Sequence, residues 1–341
     1  MPEPTIPQVS IVGSETLLGS DLREVLRESI LGSRLKLLGS AEEGAAILSA
    51  AEDEPVVIAP IDPDELNASR IVFLTGTNEV NQKAFAQVRP GPGAPVVIDL
   101  ARSLEDHPAA RLRAPMAELA GTTVSTPLHV IAHPAAILIA TLLQRLSTVG
   151  GVRRAVVTAF EPASERGMAG IEELQQQTVS LLSFKQQNKA IYDEQLAFNI
   201  LARFGDEAPL SLQSIQEGIE RHLVSLLSPT PAVPMPNLRL LQTAVMHGHT
   251  ASLWVLFAER PELPAIEAAL NYEPFDFRGE GTTQPNPVGM AAQAGIAAGA
   301  LEADRNEARA IWLHAAADNF RLVSQNAISV ATGILLEESR K

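Results

Sequence analysis

Residues 246–250 read Met-His-Gly-His-Thr and contain two of the seven histidines of the chain. An imidazole whose pKa lies near neutrality is the natural general base, so His249 is a candidate catalytic group. His247 and His249 would share one face of a strand and could pair at a metal. His129 and His133 have the i, i+4 spacing of a helix. Because no Asp or Glu stands at a recognised ligand spacing from either pair, the sequence predicts no metal site.

The chain contains no cysteine, which excludes disulfides, cysteine-ligated zinc and thiol catalysis together. A serine hydrolase would show the motif Gly-x-Ser-x-Gly, and the sequence lacks it, so Ser164 is a poor candidate for a nucleophile. Glu172 and Glu173 are adjacent and would not face each other on a helix, which favours a solvated or interface surface over a pair of catalytic carboxylates.

A glycine-containing turn follows the first predicted strand, where residues 11–19 read Ile-Val-Gly-Ser-Glu-Thr-Leu-Leu-Gly. A dinucleotide-binding turn needs glycines so that its backbone can approach the pyrophosphate at the N-terminus of the next helix. Here Thr16 stands where a third glycine would help. Glu15 would bring a negative charge close to the phosphates.

The second predicted strand runs into Ser40 without the acidic residue that would hold a ribose. Glu42 and Glu43 follow and would repel a 2′-phosphate. Two interpretations therefore stay open: Gly13 and Gly19 serve only strand–helix packing, or the turn binds NAD or NADP. The sequence makes no cofactor certain. The candidate cofactor-binding residues are Gly13, Ser14, Glu15, Thr16, Leu17, Gly19 and Ser40.

Short buried strands and helices alternate around this turn. Strands are predicted at 8–12, 35–38, 55–59, 71–75 and 95–99, and helices at 17–28 and 84–88. The alternation predicts an α/β fold with a doubly wound parallel sheet that is covered by helices on both faces.

Beyond residue 130 the pattern changes. Helices are predicted at 137–146 and 324–336, and strands at 154–160, 237–245, 252–256 and 311–315. Residues 274–289 are rich in Pro and Gly and predict a loop, while residues 291–300 are only biased towards Ala and Gly. A length of 341 residues favours two domains.

The charge of the chain limits its partners. A net charge of −14 and a pI of about 5.0 argue against a nucleic-acid surface and against docking on anionic membranes. No signal peptide or membrane span is evident. We therefore expect a cytoplasmic protein.

Several motifs occur in an order that resembles the aspartate-semialdehyde dehydrogenase family, and the resemblance covers essentially the whole chain. Within that family the chain is similar to the USG-1-type homologues. The matching segments are the turn at 11–19, Val-Val-Ile-Asp at 96–99, Gly-x-x-Gly-Ile-Glu-Glu-Leu at 167–174, Ala-Phe-Asn-Ile at 197–200, Gly-His-Thr at 248–250, Asp-Asn at 318–319 and Asn-Ala at 326–327.

The resemblance implies a Rossmann-like domain at 1–132 with a returning C-terminal helix at 324–341. It also implies an α/β, mixed-sheet dimerisation domain at 133–323, and hence a homodimer. The reaction of the family is the reversible, NADP-dependent reductive dephosphorylation of aspartyl phosphate, which belongs to amino-acid biosynthesis. A cysteine thiolate forms a thioacyl intermediate, a histidine is the acid/base, and arginines hold the anionic groups.

Projected onto this chain, the resemblance implies that the nucleophile and the neighbouring amide have been replaced, whereas the histidine is retained. The family would place Asn-Pro-Asn-Cys over residues 133–136, so Ala136 occupies the position of the nucleophile. Residues 160–164 stand where the family has Tyr-Gln-Ala-Val-Ser, and Glu161 is an anion in place of the amide. His249 matches the acid/base.

The anion-binding side chains are missing as well. Arg102 could replace a phosphate-holding arginine only if its loop were shorter. The segment that matches a lysine-bearing helix, 214–220, contains no lysine, and the segment that matches Gly-Arg-Ile-Arg, 289–292, contains no arginine.

These replacements lead to three hypotheses. The first is a pseudoenzyme that keeps the fold and the dimer and binds a partner protein or a small metabolite. The second is an active NAD(P)-dependent oxidoreductase with altered chemistry, in which His249 supports a hydride transfer. The third is a pure interaction module without a ligand pocket.

Overall fold

The computed structural model describes residues 7–27, 29–39, 47–51, 54–119, 121–230 and 233–339. The described chain forms two compact units. One comprises the residues up to Ala132 together with those from Val323 onward, and the other comprises His133–Leu322. Among the described residues, no helix is both long and apolar enough to cross a membrane.

The first unit is built on one sheet. Its strands are β1 (Val9–Val12), β2 (Leu35–Gly39), β3 (Ile47–Ala51), β4 (Glu54–Pro60), β5 (Ile71–Leu74), β6 (Val96–Asp99), β7 (Ala110–Arg113) and β8 (Leu128–Ile131). Its helices include α1 (Leu17–Arg27), α2 (Pro63–Ala68) and α3 (Asn78–Ala86), and a 3₁₀ turn spans Ile30–Arg34.

The strand order in this sheet is β3-β4-β2-β1-β5-β6-β8-β7, and all pairs are parallel except β3 with β4. The central strands β1 and β5 are buried at every position, as expected for a sheet covered on both faces. The predicted doubly wound α/β fold is confirmed.

The second unit contains a mixed sheet. Its strands are β9 (Val152–Glu161), β10 (Ile200–Leu201), β11 (Asn237–Thr243), β12 (His249–Phe257), β13 (Phe275–Arg278), β14 (Ile296–Ala303) and β15 (Ala310–Ala317), in the order β10-β11-β9-β12-β15-β14-β13. Its helices are α4 (Pro134–Ser147), α5 (Gly167–Leu182), α6 (Leu212–Leu227), α7 (Leu263–Leu270) and α8 (Pro287–Met290), and a 3₁₀ turn spans Ala163–Arg166.

The final helix, α9 (Asn319–Ser339), supplies side chains to the first unit. Ser324 donates a hydrogen bond to the carboxylate of Asp21 at 2.6 Å, and the amide of Met116 donates to the side chain of Asn326 at 3.0 Å. These two bonds attach the part of the helix beyond Leu322 to the first unit.

The loop predicted at 274–289 is wrong, because this segment contains β13 and most of α8. The adjoining 291–300 segment likewise enters β14. β13 is an edge strand that pairs in parallel with β14, so tertiary pairing overrides a composition that favours turns.

Candidate functional site

Ala136 lies in the first turn of α4. His133 caps this helix, since its Nδ1 accepts a hydrogen bond from the amide of Ala135 at 3.2 Å, and Pro134 occupies a first-turn position that needs no amide donor. The Ala136 side chain is fully buried, and a methyl group has no lone pair with which to attack a substrate.

The helical i, i+4 pair considered in the sequence does not exist. His129 lies in β8, whereas His133 lies one residue before α4. Burial, assisted by the charge of Arg113, lowers the pKa of His129 to about 4. His129 is therefore a neutral group within the sheet of the first unit, and Arg113 contacts its Nδ1 at 3.3 Å.

Glu161 is the last residue of β9 and is fully buried. Arg166 donates a hydrogen bond from Nη2 to its carboxylate at 2.7 Å, and the Arg166 side chain is only 12% exposed. A buried carboxylate is strongly destabilising when it lacks such a partner. The buried anion Glu161 thus has a cation, Arg166, five residues along the chain.

His249 is the first residue of β12. Since β12 runs antiparallel to β9, with Thr250 opposite Phe160, the start of β12 and the end of β9 lie at the same edge of the sheet. His249 is fully buried, and within the described residues neither of its ring nitrogens has a hydrogen-bond partner.

A carboxylate lies between two of the histidines. Glu165, in the 3₁₀ turn after β9, places one oxygen 3.4 Å from Nε2 of His133 and the other 3.5 Å from Nε2 of His249. The two imidazole rings have centroids 5.5 Å apart and meet at 68°, edge to face. We refer to His133, Glu165 and His249 as the His–Glu–His cluster.

Neighbouring polar groups hold this cluster in place. Asn319 donates from Nδ2 to Glu165 at 2.7 Å, and its own carbonyl oxygen accepts from the amide of Gly248 at 3.0 Å. The amide of His133 donates to Nδ1 of His222, on α6, at 3.0 Å. The backbone on either side of the cluster is therefore fixed by buried hydrogen bonds.

His247 does not pair with His249. It precedes β12, and its Nε2 lies 2.8 Å from Asp318 while its Nδ1 contacts Ser164 at 3.1 Å. Burial alone would raise the pKa of Asp318, but the hydrogen bond and charge of His247, with backbone amide donors, lower it below its ordinary value. Ser164 is itself buried, so a substrate could not reach its hydroxyl.

In the first unit, the backbone of the glycine turn is already hydrogen-bonded within the unit. The amides of Gly13 and Ser14 donate to the carbonyl of Leu38 at 2.9 and 3.2 Å, and the amide of Thr16 donates to Gly13. Phosphate-binding turns work by pointing such amides at the anion. Three of the amides in this turn are directed elsewhere.

Thr16 and the glycines fill the remaining space of the turn. The Thr16 hydroxyl contacts the carbonyls of Gly13 and Thr75, both at 2.9 Å, and accepts from the amide of Gly19 at 3.0 Å. A Cβ on Gly13, whose φ is +79°, would lie 2.3 Å from Cα of Gly76. A Cβ on Gly19 would lie 2.4 Å from the Gly13 carbonyl. Close packing alone accounts for both glycines.

The side chain of Glu15, which follows β1 in the chain, lies beside Gly39 at the end of β2. Its Oε2 is 2.8 Å from the place that a Cβ on Gly39 would occupy. The carboxylate therefore lies beside the strand end where a ribose hydroxyl would be recognised. Leu17 begins α1, and Ser40, the last of the candidate cofactor-binding residues, is outside the described residues.

Arg102 and the two segments that match anion-binding segments of the family, 214–220 and 289–292, lie in different parts of the structure. Arg102 lies after β6, has a φ of +64° and donates to the carbonyl of Leu100 at 3.4 Å. The 214–220 segment belongs to α6. Although 289–292 contains no arginine, Arg278 of β13 contacts the sulfur of Met290 at 3.3 Å, so a guanidinium does lie beside that segment.

Comparisons with known proteins agree with this architecture. Residues 143–322 match the semialdehyde dehydrogenase dimerisation domain. The chain is 26% identical over 340 residues to a USG-1 protein homolog from Azotobacter vinelandii, which covers 97% of this chain and 98% of that protein. It is 28% identical over 291 residues to a USG-1 protein homolog from Pseudomonas aeruginosa, which covers 83% of each.

A solved structure described as a probable aspartate-semialdehyde dehydrogenase from Pseudomonas aeruginosa superposes with a TM-score of 0.81 at 25% identity, covering 96% of this chain and 98% of that one. Since the matched domain spans more than half of the sequence, the chain belongs to the semialdehyde dehydrogenase family. The predicted resemblance to aspartate-semialdehyde dehydrogenase is confirmed.

The sequence did not indicate Glu165, and the i, i+4 spacing of His133 with His129 does not correspond to its contacts in the fold, which are with Glu165 and His249. A signal for both was present in the sequence: His133 lies three residues before Ala136, and Glu165 lies four residues after Glu161, within or beside segments that match the family site. The two segments meet at one site in the fold, where Nε2 of His133 lies 3.4 Å from Glu165.

Proposed function

We propose that this protein is a pseudoenzyme of the aspartate-semialdehyde dehydrogenase family, a homodimer that has lost the thioacyl reaction and acts as a binding or accessory protein. The observation that carries the proposal is Ala136: a buried methyl group stands where the reaction needs a thiolate, in a chain without any cysteine.

The surroundings of that position support the same conclusion. A neutral amide has become Glu161, which is bound to Arg166, and a second carboxylate, Glu165, faces His249. An acyl phosphate carries negative charge, and each added carboxylate opposes its approach. Fold alone would suggest the activity, but the residues at the site do not support it.

Turnover of aspartate semialdehyde with NADP and inorganic phosphate tests the proposal. We expect purified protein to produce no NADPH above a no-enzyme control, while a cysteine-containing member of the family serves as the positive control. Turnover that increases with protein concentration and disappears in His249→Gln would overturn the proposal.

Nucleotide binding is a separate measurement. The occupied amides of the glycine turn and the carboxylate of Glu15 favour a packing role for Gly13 and Gly19. We therefore expect no heat of binding with NAD or NADP at millimolar concentration in calorimetry. A clear isotherm would favour the alternative, an active NAD(P)-dependent oxidoreductase with altered chemistry.

We assign the dimerisation domain to residues 133–323. The dinucleotide-binding-like domain comprises residues 1–132 together with 324–341. Exposed apolar side chains support an interface near α5 and β10: Val179, Leu182, Phe184, Phe198 and Ile200 are between 58% and 100% exposed. Surfaces of this kind are typical of protein contacts. The acidic composition is compatible with a cytoplasmic location, which cell fractionation would test.

Light scattering at micromolar concentration should give the mass of a dimer. Leu182→Asp should shift the protein towards the monomer, because a carboxylate would be placed in an apolar contact, whereas Val288→Asp, at an exposed position in α8, should not. A monomer mass for the unchanged protein would contradict the dimer.

A further inference from the structure

We propose that His133, Glu165 and His249 form a binding site for a divalent transition-metal cation of the zinc type. Two imidazoles and one carboxylate are a common set of protein ligands for such a cation, and hard cations such as magnesium or calcium would select oxygen ligands instead. All three side chains belong to the same compact unit, His133–Leu322.

The distances within the cluster fit coordination better than hydrogen bonding. Nε2 of His133 lies 3.4 Å from one oxygen of Glu165, and Nε2 of His249 lies 3.5 Å from the other. A charge-assisted N–H···O bond is shorter, about 2.7–2.9 Å. Two ligands bound tetrahedrally at about 2.1 Å from one metal are separated by about 3.4 Å. The distance from Nε2 of His133 to its nearer Glu165 oxygen matches this value, and Nε2 of His249 approaches the other oxygen of the same carboxylate. One ligand atom from each residue lies within 4.8 Å of the other two.

The state of His249 is an independent observation. The side chain is completely buried, and neither Nδ1 nor Nε2 finds a hydrogen-bond partner among the described residues. Buried polar nitrogens in native proteins nearly always have a partner. Nε2 faces Glu165 and is directed into the cluster, where a cation would use its lone pair.

The neighbouring groups order the ligands as metal sites require. Asn319 donates to Glu165 at 2.7 Å and accepts from the amide next to His249, that of Gly248, at 3.0 Å. A ligand carboxylate that is held by a second hydrogen bond loses less freedom on binding. One side chain thus orients the carboxylate and the start of the strand that carries the histidine.

His133 must change its tautomer to take part. Its Nδ1 accepts from the amide of Ala135, which leaves the ring proton on Nε2. Coordination through Nε2 moves that proton to Nδ1 and gives up the helix cap. A single cap stabilises a protein far less than a transition metal held by three side chains.

Metal binding would give the site a property that the thioacyl mechanism lacks. Three protein ligands leave at least one coordination position for an outside group, the arrangement found in catalytic rather than structural zinc sites. The lone pair of His249 would then be engaged, so His249 would act as a ligand and not as an acid/base.

The test uses full-length protein that has been stripped with a chelator and titrated with Zn²⁺ in a calorimeter. Co²⁺ is added to a second sample, because the intensity of its visible absorption reports a tetrahedral site. The variants are Glu165→Gln, which keeps the shape of the side chain, His249→Gln, and His133→Asn. The matched control is His314→Gln, a histidine of β15 in the same unit that lies outside the cluster.

We expect one Zn²⁺ per chain and a tetrahedral Co²⁺ spectrum, a loss of affinity of at least about 100-fold in each cluster variant, and unchanged affinity in the control. Circular dichroism verifies that each variant is folded. No binding at millimolar Zn²⁺, or equal losses in the control, would overturn the site. The readout is independent of NADP turnover, so this inference and the pseudoenzyme proposal can fail separately.

Discussion

The glycine turn of the first unit and the His–Glu–His cluster of the second both occupy places where the family resemblance expects function. In the turn, the amides of Gly13, Ser14 and Thr16 and the hydroxyl of Thr16 are hydrogen-bonded within the unit, and close packing accounts for the two glycines. In the cluster, a fully buried imidazole has no hydrogen bond within the described structure, and a carboxylate stands between two histidines. One motif has become part of the core, while the other still holds groups that can do chemistry.

The difference shows that a retained motif and a retained site are separate things. Gly13 and Gly19 match the family, yet their contacts would be the same without any nucleotide. Ala136 and Glu161 do not match the residues that the resemblance implies, yet His133 and Glu165, in the same two segments of the chain, lie 3.4 Å apart. The following predictions test this contrast, from the largest expected effect to the smallest.

Arg166→Ala should destabilise the second unit most. It leaves Glu161 buried without its cation, which costs about 3–5 kcal/mol when one partner of a buried pair is removed. Urea unfolding measures the change. Arg309→Ala, which removes an exposed partner of Glu307, is the control and should alter stability far less than Arg166→Ala, because solvent screens an exposed ion pair. Equal effects would mean that the buried pair is not a structural requirement.

Gly13→Ala tests whether the glycine turn is a closely packed part of the protein core. A methyl group would meet Cα of Gly76 at 2.3 Å in a left-handed conformation, and strain and overpacking together should cost about 2–5 kcal/mol. Gly333→Ala in α9, where a Cβ meets nothing within 4 Å, should be neutral or stabilise by up to about 1 kcal/mol. If Gly13→Ala left the free energy of unfolding unchanged, close packing would no longer explain this glycine, and the contrast between the turn and the cluster would be lost.

Thr16→Val keeps the shape of the side chain and removes the hydroxyl that contacts two carbonyls and one amide. We expect a loss of about 1–3 kcal/mol in chemical unfolding. We also expect no gain of NADP binding in calorimetry. A variant that bound NADP would show that Thr16 had been blocking a functional turn and was not part of its core.

The smallest effect concerns pH. Because the folded-state pKa of Asp318 lies below its ordinary value of 3.8, its ionised form stabilises the protein above that pH, and this stability is lost as the pH falls through the folded pKa. Thermal melting should show that the difference in Tm between the unchanged protein and Asp318→Asn becomes smaller as the pH falls from 6 to 3. A difference in Tm that does not change with pH would show that the pair of Asp318 with His247 does not contribute to stability in the expected way.

Period and composition predicted five of the eight described strands of the first unit, because strands such as β5, a continuous apolar run, and β1, which has one polar residue, are suited to burial within a covered sheet. They missed β7, whose sequence Ala-Arg-Leu-Arg is polar at alternate positions and becomes a strand by pairing with β8. β13 was lost for a similar reason, since its flanking prolines and glycines hide a strand that depends on β14.

For the site, the sequence singled out Ala136, Glu161 and His249 as positions that match the family site. The sequence could not predict the contact between His133 and His249. The two residues are 116 positions apart, and their contact depends on tertiary structure that includes the antiparallel pairing of β9 with β12. Spacing rules apply within one element, so the only pairs they offered were 129 with 133 and 247 with 249.

Each member of the His–Glu–His cluster lies at the end of a longer element or in a short connection: His133 before α4, Glu165 in the 3₁₀ turn after β9, and His249 at the first position of β12. Substitutions at such ends leave the strand register and the helix packing as they were. A protein of this fold can therefore exchange one set of reactive groups for another through a few point mutations. The chemistry of the site can evolve while the scaffold that carries it stays the same.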